Sequence, residues 1–425
     1  MSVGTPTVPS GRTVAASGRL RPVVALLAPR WSGDGEAVWF TRQVARALLR
    51  YGDVHVITLE GPNPEVTEDR RDEVSGARCM VHRLGTPPAT RHVARREVLL
   101  AALSAVEAQS GQPNGPSVER LLRRGMVEPW ELADKQVAQL CPDLMVLADY
   151  RQVGALEVRR RSAPAVPLVL LPLADGNPAV SLAHFDQMFA EAAVVLAATH
   201  SEFRAVTQAS RAAHRDPDRV HVVGLPAIAG PLAQPRSDRS GRSGVLVFTG
   251  HRAGDHDLPA ALARLLALAL PRTPVAVVST DALTTWRGGV PSHAPVPAPD
   301  AVTSEWMAKA AVTVDLRPGG FLARRCVDSL ACGTAIVVAA DSRGREYAES
   351  GRGGLWFSPP GELIWCVEAI LDPAVHGRFG AQGRNYVESV LGTPSDFASR
   401  VVEAIGLDVR NSGAPAGSRD WAPMA

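Results

Sequence analysis

Two glycine-containing turns each stand directly before a predicted helix. They are Ser32-Gly33-Asp34-Gly35-Glu36 and Arg317-Pro318-Gly319-Gly320-Phe321. Free backbone N–H groups and the positive end of the helix dipole attract anions at such a place. The two turns therefore predict a ligand that carries phosphate, although glycine at a strand-to-helix junction can also be a plain structural turn.

The segment after the second turn predicts how that turn is held. A helix over 321–331 is followed by the break Cys332-Gly333-Thr334 and by a buried strand over 335–339. Glycine readily takes a positive φ, so we expect Gly333 to end the helix.

The rest of the chain alternates buried apolar runs with helical periodicity, which is the pattern of an α/β protein with parallel sheets. Strands are predicted at 22–28, 54–58, 144–147, 167–171, 194–197, 220–223, 244–249, 275–278, 311–316 and 335–339. Helices are predicted at 36–51, 93–109, 117–140, 180–192, 258–270, 321–331, 361–371 and 394–406.

One polar stretch interrupts this alternation, at 234–243, and the pattern restarts after it. We therefore predict two Rossmann-like domains that face a central cleft, with both glycine turns on it, because ligands bind beyond the carboxyl ends of parallel strands. The predicted division is a disordered N-terminus 1–19, a domain 20–231, a linker 232–243, a domain 244–393, a C-terminal helix 394–408 and a disordered tail 409–425.

Composition excludes several classes of protein. The 425 residues carry a net charge of only +2, which gives no reason to expect nucleic acid as a partner. The five cysteines have no metal-site spacing and predict reduced, mostly buried thiols in a cytoplasmic protein.

Membrane insertion is not expected either. The N-terminus lacks the apolar stretch of a secretory signal, and apolar runs such as 262–270 are far shorter than the roughly 18 residues that span a bilayer. The basic runs Arg95-Arg96 and Arg159-Arg160-Arg161 leave peripheral contact with anionic lipid open, although such short runs are usually solvated.

Several segments resemble family 4 glycosyltransferases. The segments 328–338, 341–346 and 354–361 are similar to that family's donor-binding region, and 31–56 is similar to its N-terminal glycine loop, helix and strand. The resemblance extends over about 22–406 and implies a GT-B fold, a nucleotide-activated sugar as donor and transfer with retention to an unknown acceptor. It implies neither a metal nor a further cofactor.

The resemblance also implies roles for individual residues. Asp328 would accept hydrogen bonds from the ribose hydroxyls, and the turn before it would hold the diphosphate. The residues implied in donor binding are Gly33, Gly35, Gly250, Gly319, Gly320, Phe321, Leu322, Asp328 and Glu346.

The sequence departs from the family pattern at three places. The family's first Glu, which contacts the transferred sugar, falls on Gly320, and its phosphate-binding Lys falls on His256. Because the chain has lysine only at 135 and 309, we assign leaving-group stabilisation to Arg252 and His256. Arg324 or Arg325 is a further candidate source of the charge. A family His falls on Leu173, and Asp175 is the nearest polar candidate, on the acceptor side.

These departures leave two functions open. The first is a glycosyltransferase, and the second is a catalytically silent GT-B protein that binds a nucleotide sugar, a glycan or a partner protein. A dinucleotide-dependent oxidoreductase is disfavoured because neither glycine turn gives G-x-G-x-x-G followed by an acidic residue at the required distance.

Overall fold

A computed structural model describes most of the chain. The described residues are 21–32, 35–60, 69–71, 77–84, 130–149, 152–173, 182–209, 216–227, 242–250, 258–279, 282–287, 290–291, 296–297, 300–317 and 322–406. The predicted helix 93–109, the linker residues 232–241 and both predicted termini up to 20 and from 407 lie outside them.

The first half of the chain forms an eight-stranded sheet in the order β3-β4-β2-β1-β5-β6-β7-β8. Its strands are β1 (Val23–Ala28), β2 (Asp53–Thr58), β3 (Asp69–Arg71), β4 (Arg78–Arg83), β5 (Leu144–Ala148), β6 (Leu168–Leu171), β7 (Val194–Ala197) and β8 (Val220–Val222). All neighbours pair in parallel except β3 with β4. The parallel strands need crossover helices, which is why the apolar runs alternate with helical segments.

The second half forms another sheet, in the order β12-β11-β10-β9-β14-β15-β16, with β13 paired to β11. The strands are β9 (Val245–Gly250), β10 (Val275–Ser279), β11 (Ala282–Arg287), β12 (Val290–Pro291), β13 (Val296–Pro297), β14 (Val312–Asp315), β15 (Ala335–Ala339) and β16 (Gly354–Phe357). Five strands are parallel, and β11 begins an antiparallel extension at one edge. The prediction of an α/β fold with two mainly parallel sheets is confirmed.

Helices of the first half are α1 (Glu36–Leu48), α2 (Glu131–Leu140), α3 (Val153–Ser162), α4 (Leu182–Glu191) and α5 (His200–Ala209). Helices of the second half are α6 (Leu258–Ala269), α7 (Asp300–Lys309), α8 (Arg324–Ala331), α9 (Gly344–Ser350), α10 (Pro360–Leu371), α11 (Pro373–Tyr386) and α12 (Pro394–Ile405). The sequence analysis did not predict α3, α5, α7, α9 and α11.

The junction at Gly333 has the predicted conformation. Helix α8 ends at Ala331, and Gly333 follows with φ +71°, so the chain turns directly into β15. The start of α8 differs from the prediction by three residues, because Ala323 has the left-handed φ of +62° and cannot continue a helix backwards.

The chain returns to its first half at the end. Helix α12 begins with a capping box between Thr393 and Asp396, and its Phe397 ring packs edge-on against Phe40 of α1 at 6.0 Å between centroids. One hydrophobic cluster accordingly contains β1 and α1 together with α8, β15 and α12. The two halves therefore share a core in addition to their separate ones.

Four of the five cysteines are buried, in agreement with the prediction of mostly buried thiols, whereas Cys141 is exposed. In the described part of the chain, no helix is both long and apolar enough to cross a bilayer.

Candidate functional site

Two charged residues that flank the glycine turns, Glu36 and Arg317, contact each other. Glu36 occupies the first turn of α1, after the carboxyl end of β1, and Arg317 follows the carboxyl end of β14. The Arg317 Nη1 atom donates to Glu36 Oε1 at 2.7 Å. The carboxyl edges of the two sheets, where ligands of such sheets bind, are therefore joined at this pair.

Arg317 is held from its own half as well. Its Nε and Nη2 atoms donate to the two carboxylate oxygens of Asp315 at 2.8 and 2.6 Å. All three charged groups of this cluster, Glu36, Asp315 and Arg317, are at most 9% exposed. Burial opposes the charge on Arg317, but Asp315 and then Glu36 outweigh it, so the pKa of Arg317 lies above its usual value.

A second contact between the halves lies one helical turn further along α1. The Arg324 guanidinium stands over the Trp39 ring at 4.7 Å and approaches the Asp328 carboxylate at 3.3 Å. Both Arg324 and Asp328 are 5% exposed. Asp328, the predicted ribose partner, is thus buried on α8 beside an arginine, and its role toward ribose stays a prediction.

Two arginine side chains lie against the ring of Phe248, near the carboxyl end of β9. The guanidinium groups of Arg317 and Arg325 each lie 5.7 Å from the Phe248 ring, and Phe248 is two residues before Gly250, the last residue of β9. Arg324 and Arg325 occupy the first turn of α8, where the helix dipole disfavours cations. A bound anion would remove that conflict, whereas Arg317 is already paired with Asp315 and Glu36, and Arg324 with Asp328.

Glu346 of α9 has its partners in the first half. Its carboxylate accepts from the backbone N–H groups of His200 and Ser201, at 3.1 and 2.8 Å, and from Ser201 Oγ at 3.1 Å. It therefore caps the N-terminus of α5 across the domain boundary. The donor-binding role of Glu346 stays a prediction, and in this structure its carboxylate caps α5.

Arg343 precedes Glu346 and reaches the same helix. Its Nη1 atom lies 3.7 Å from the Oε1 atom of the fully buried Glu202, and its side chain is 5% exposed. The two terminal nitrogens of Arg343 are buried and have no hydrogen-bond partner among the described residues. Arg343 and Glu346 thus tie α9 to α5 by an ion pair and a helix cap.

Gly35 and Leu322 are two further predicted donor residues that lie in the described part of the chain. Gly35 is the N-cap of α1, and its carbonyl accepts from the Trp39 N–H at 2.9 Å. Leu322 is 3% exposed and its side chain belongs to the shared core. Its predicted contact uses the backbone amide, so this burial leaves the prediction open.

The other predicted residues lie outside the described part of the chain. These are Gly33, Asp175, Arg252, His256, Gly319, Gly320 and Phe321. Their assignments stay predictions.

Non-glycine residues with positive φ mark the carboxyl ends of three strands or their following turns. They are Asp149 after β5 (φ 79°), Leu173 after β6 (φ 48°) and Ala323 before α8 (φ 62°). Such conformations cost about 1–3 kcal/mol each and cluster at functional sites. Two further residues, Cys141 and Arg352 (both φ 45°), stand before the amino ends of β5 and β16, so positive φ does not by itself locate the site.

The sequence analysis assigned no role to Glu36, Trp39, Glu202, Arg317 or Arg343. Glu36 and Arg317 stood inside the quoted turns, and the acidic and basic residues flanking the glycines were the signal that could have pointed to a pair. The other contacts depend on how the halves meet, which no local pattern reports.

The basic run Arg159-Arg160-Arg161 is engaged with acidic neighbours. Arg159 pairs with Glu191 at 3.0 Å, Arg160 pairs with Glu191 and Glu157, and Arg161 pairs with Asp134 at 2.7 Å. These pairs reduce the charge that this run could offer to a lipid surface. Among the described residues, no group of three or more His, Cys, Asp or Glu side chains could hold a metal ion.

Solved glycosyltransferase structures have the same fold. Sucrose-phosphate synthase from Thermosynechococcus elongatus matches with a TM-score of 0.62 at 14% identity, over 91% of this chain and 98% of that one. The trehalose-6-phosphate structure from E. coli bound with UDP-2-fluoro glucose matches with a TM-score of 0.59 at 12% identity, over 90% and 98%. Anabaena HepE in complex with UDP-glucose matches with a TM-score of 0.54 at 14% identity, over 90% and 99%.

At these identities the likeness is one of fold, and the chain has the GT-B fold of nucleotide-sugar glycosyltransferases. No protein-family model matches the sequence, and no curated protein matches it. Membership of family 4 therefore stays a resemblance.

Proposed function

We propose that this protein is a glycosyltransferase that moves a sugar from a nucleoside-diphosphate donor to an acceptor bound by the first half, with retention at the sugar carbon. The observation that carries the proposal is the set of arginines at the carboxyl edge of the second sheet. Arg317 and Arg325 flank Phe248, and Arg324 begins α8 beside them. The fold supports it, because structures with this fold have been solved with UDP-glucose and UDP-2-fluoro glucose.

The donor would lie with its diphosphate at the N-terminus of α8. The amides of Phe321 and Leu322 in the turn Gly319-Gly320 would donate to the phosphate oxygens, and Asp328 would accept from the ribose hydroxyls. Negative charge develops on the diphosphate as the bond to the sugar breaks. Positive groups fixed nearby therefore lower the barrier electrostatically.

The cations available for this task are arginines and one histidine. We assign the role to Arg252 and His256, which follow β9 in the sequence, together with Arg325, whose guanidinium lies 5.7 Å from the ring of Phe248 on β9. Arginine binds a phosphate bidentately and stays charged, whereas His256 contributes only when protonated. On the acceptor side we assign Asp175.

Binding of nucleotides tests the proposal. We expect one of UDP, GDP or ADP, or its glucose conjugate, to raise the melting temperature, because a ligand at 100 times its Kd adds about 2.7 kcal/mol. Arg325→Ala should weaken the diphosphate by about 1.5–3 kcal/mol, since it removes a charged hydrogen-bond donor. The matched control is Arg272→Ala, because Arg272 is exposed and stands before the amino end of β10. This variant should bind the diphosphate as the wild type does.

The contribution of His256 has its own signature. If it is a phosphate ligand, diphosphate affinity rises as pH falls from about 8 to about 6, and His256→Ala removes that slope. Equal affinity of the wild type, Arg252→Ala and His256→Ala at every pH would refute both assignments.

A second function is supported by two side chains of the family pattern that the sequence lacks. The absence of a side chain at Gly320 and of Lys at position 256 favours a GT-B protein that binds a nucleotide sugar, a glycan or a partner protein without transferring the sugar. Binding of a sugar nucleotide without release of the nucleoside diphosphate, with acceptor mixtures or with water, would select this function.

A further inference from the structure

The carboxylate of Glu36 uses one of its two oxygens. Oε1 accepts from Arg317, whereas Oε2 is buried and has no hydrogen-bond partner among the residues that the structure describes. The side chain is 8% exposed. Buried acceptors in proteins are nearly always paired, so Oε2 is an acceptor for which the described residues supply no donor.

The position of this oxygen is fixed by the ion cluster around it. Arg317 donates from Nε and Nη2 to both carboxylate oxygens of Asp315 and from Nη1 to Glu36. These three hydrogen bonds fix the orientation of the Glu36 carboxylate. Glu36 stands at the carboxyl edge of the first sheet, and Arg317 stands at the carboxyl edge of the second. The unpaired oxygen is therefore a fixed acceptor at the edge where ligands of both sheets bind.

The chemistry of a carboxylate selects its partner. An ionised carboxylate accepts hydrogen bonds and donates none, so it repels phosphate oxygens and suits hydroxyl groups. In a nucleotide sugar, the hydroxyl groups belong to the ribose and to the sugar, and Asp328 is the residue proposed for the ribose.

Resting on the proposed function, we infer that Glu36 binds the sugar of the donor, with Oε2 accepting a hydrogen bond from one of its hydroxyl groups. The first half would thus bring a carboxylate to Arg317. Arg317 stands three residues before Gly320, which has no side chain to bind the sugar. Glu36 is accordingly a binding residue contributed from across the domain boundary.

The experiment separates sugar from nucleotide. Isothermal titration calorimetry measures the affinities of UDP, GDP and ADP and of their glucose conjugates for the wild type and for Glu36→Gln. The glutamine keeps an oxygen for Arg317 but removes the charged acceptor. We expect its affinity for the glucose conjugate to fall about tenfold while its affinity for the free diphosphate changes by less than about twofold.

Asp315→Asn is the matched control, because it weakens the hold on Arg317 without touching Oε2 of Glu36. It should alter the affinities for diphosphate and glucose conjugate by the same factor. If Glu36→Gln changes the affinities for diphosphate and glucose conjugate by the same factor, or leaves both unchanged, Glu36 does not bind the sugar and the inference is overturned. If the wild type binds none of the six compounds, the proposed function fails and this inference fails with it.

Discussion

Glu36 and Arg317 are 281 positions apart in the chain, and their side chains meet at 2.7 Å in a buried ion pair between the two halves. Each stands beside one of the two glycine turns that the sequence marks as anion sites. The pair therefore joins the first turn of α1 to the carboxyl end of β14, at the edge where ligands of both sheets bind.

Removing Arg317 should destabilise the protein strongly. Arg317→Ala leaves Glu36 and Asp315 buried without their cation, which costs about 3 kcal/mol or more of unfolding free energy. Urea denaturation measures it. Lys309→Ala, which breaks the exposed pair with Glu305, is the control and should change the unfolding free energy by less than about 1 kcal/mol. If the two substitutions lower the unfolding free energy equally, the buried pair does not stabilise the protein more than an exposed one.

Acid should destabilise the first half through a histidine pair on its sheet. His55 Nδ1 of β2 and His82 Nε2 of β4 lie 2.9 Å apart, with stacked rings. Burial, and then the charge of His82, lower the pKa of His55 from 6.5 to about 4, although Asp53 acts in the opposite direction.

Because the folded pKa of His55 is below its unfolded value, the unfolded state takes up more protons between pH 6.5 and about 4. The unfolding free energy should therefore fall by about 1–2 kcal/mol as pH drops through that window, after allowance for partial solvation. His55→Leu should remove this part of the pH dependence, as followed by denaturation at each pH. His221→Leu, at a histidine of β8 in the same sheet, should retain it; a curve unchanged by His55→Leu would place the acid sensitivity elsewhere.

Glu346 should stabilise the contact between α9 and α5. Glu346→Ala leaves the N–H groups of His200 and Ser201 without their acceptor, and we expect a loss of about 1 kcal/mol of unfolding free energy. Glu349→Ala, which removes the exposed pair with Arg345 on the same helix, should have a smaller effect. Calorimetry with UDP or GDP tests the donor-binding role at the same time: weaker binding by the folded Glu346→Ala protein supports that role, and unchanged binding leaves only the helix cap.

Asp328 should contribute to nucleotide binding. Asp328→Ala is expected to weaken a nucleoside diphosphate by about 1–3 kcal/mol, because a carboxylate can accept from both ribose hydroxyls. The control is Ser329→Ala on the same helix, whose buried hydroxyl contacts Thr313 Oγ1 at 3.1 Å. If calorimetry gives the wild type and both variants the same affinity for the nucleoside diphosphate, Asp328 does not contact the ribose.

Local sequence signals predicted most of the sheet-forming strands and the ends of several helices. Strands such as 194–197 and 335–339 were predicted to the residue, because β-branched runs bounded by turns carry their own signal. Helix α5 (200–209) was missed although it is amphipathic, and α9 (344–350) is only seven residues long. Their places are set by packing between the halves, where Glu346 of α9 caps α5.

The sequence by itself determined the α/β class, the start of α1 at Glu36 and the helix end at Gly333, because each depends on neighbours within a few positions. Only the tertiary structure decided that Glu36 faces Arg317, that Arg324 stacks on Trp39 and that Glu346 caps a helix of the other half. Ser201 and Glu346 are 145 positions apart in the chain, and Glu36 and Arg317 are 281 positions apart. No periodicity or turn signal records such a distance, because it is fixed by how two separately formed sheets pack against each other.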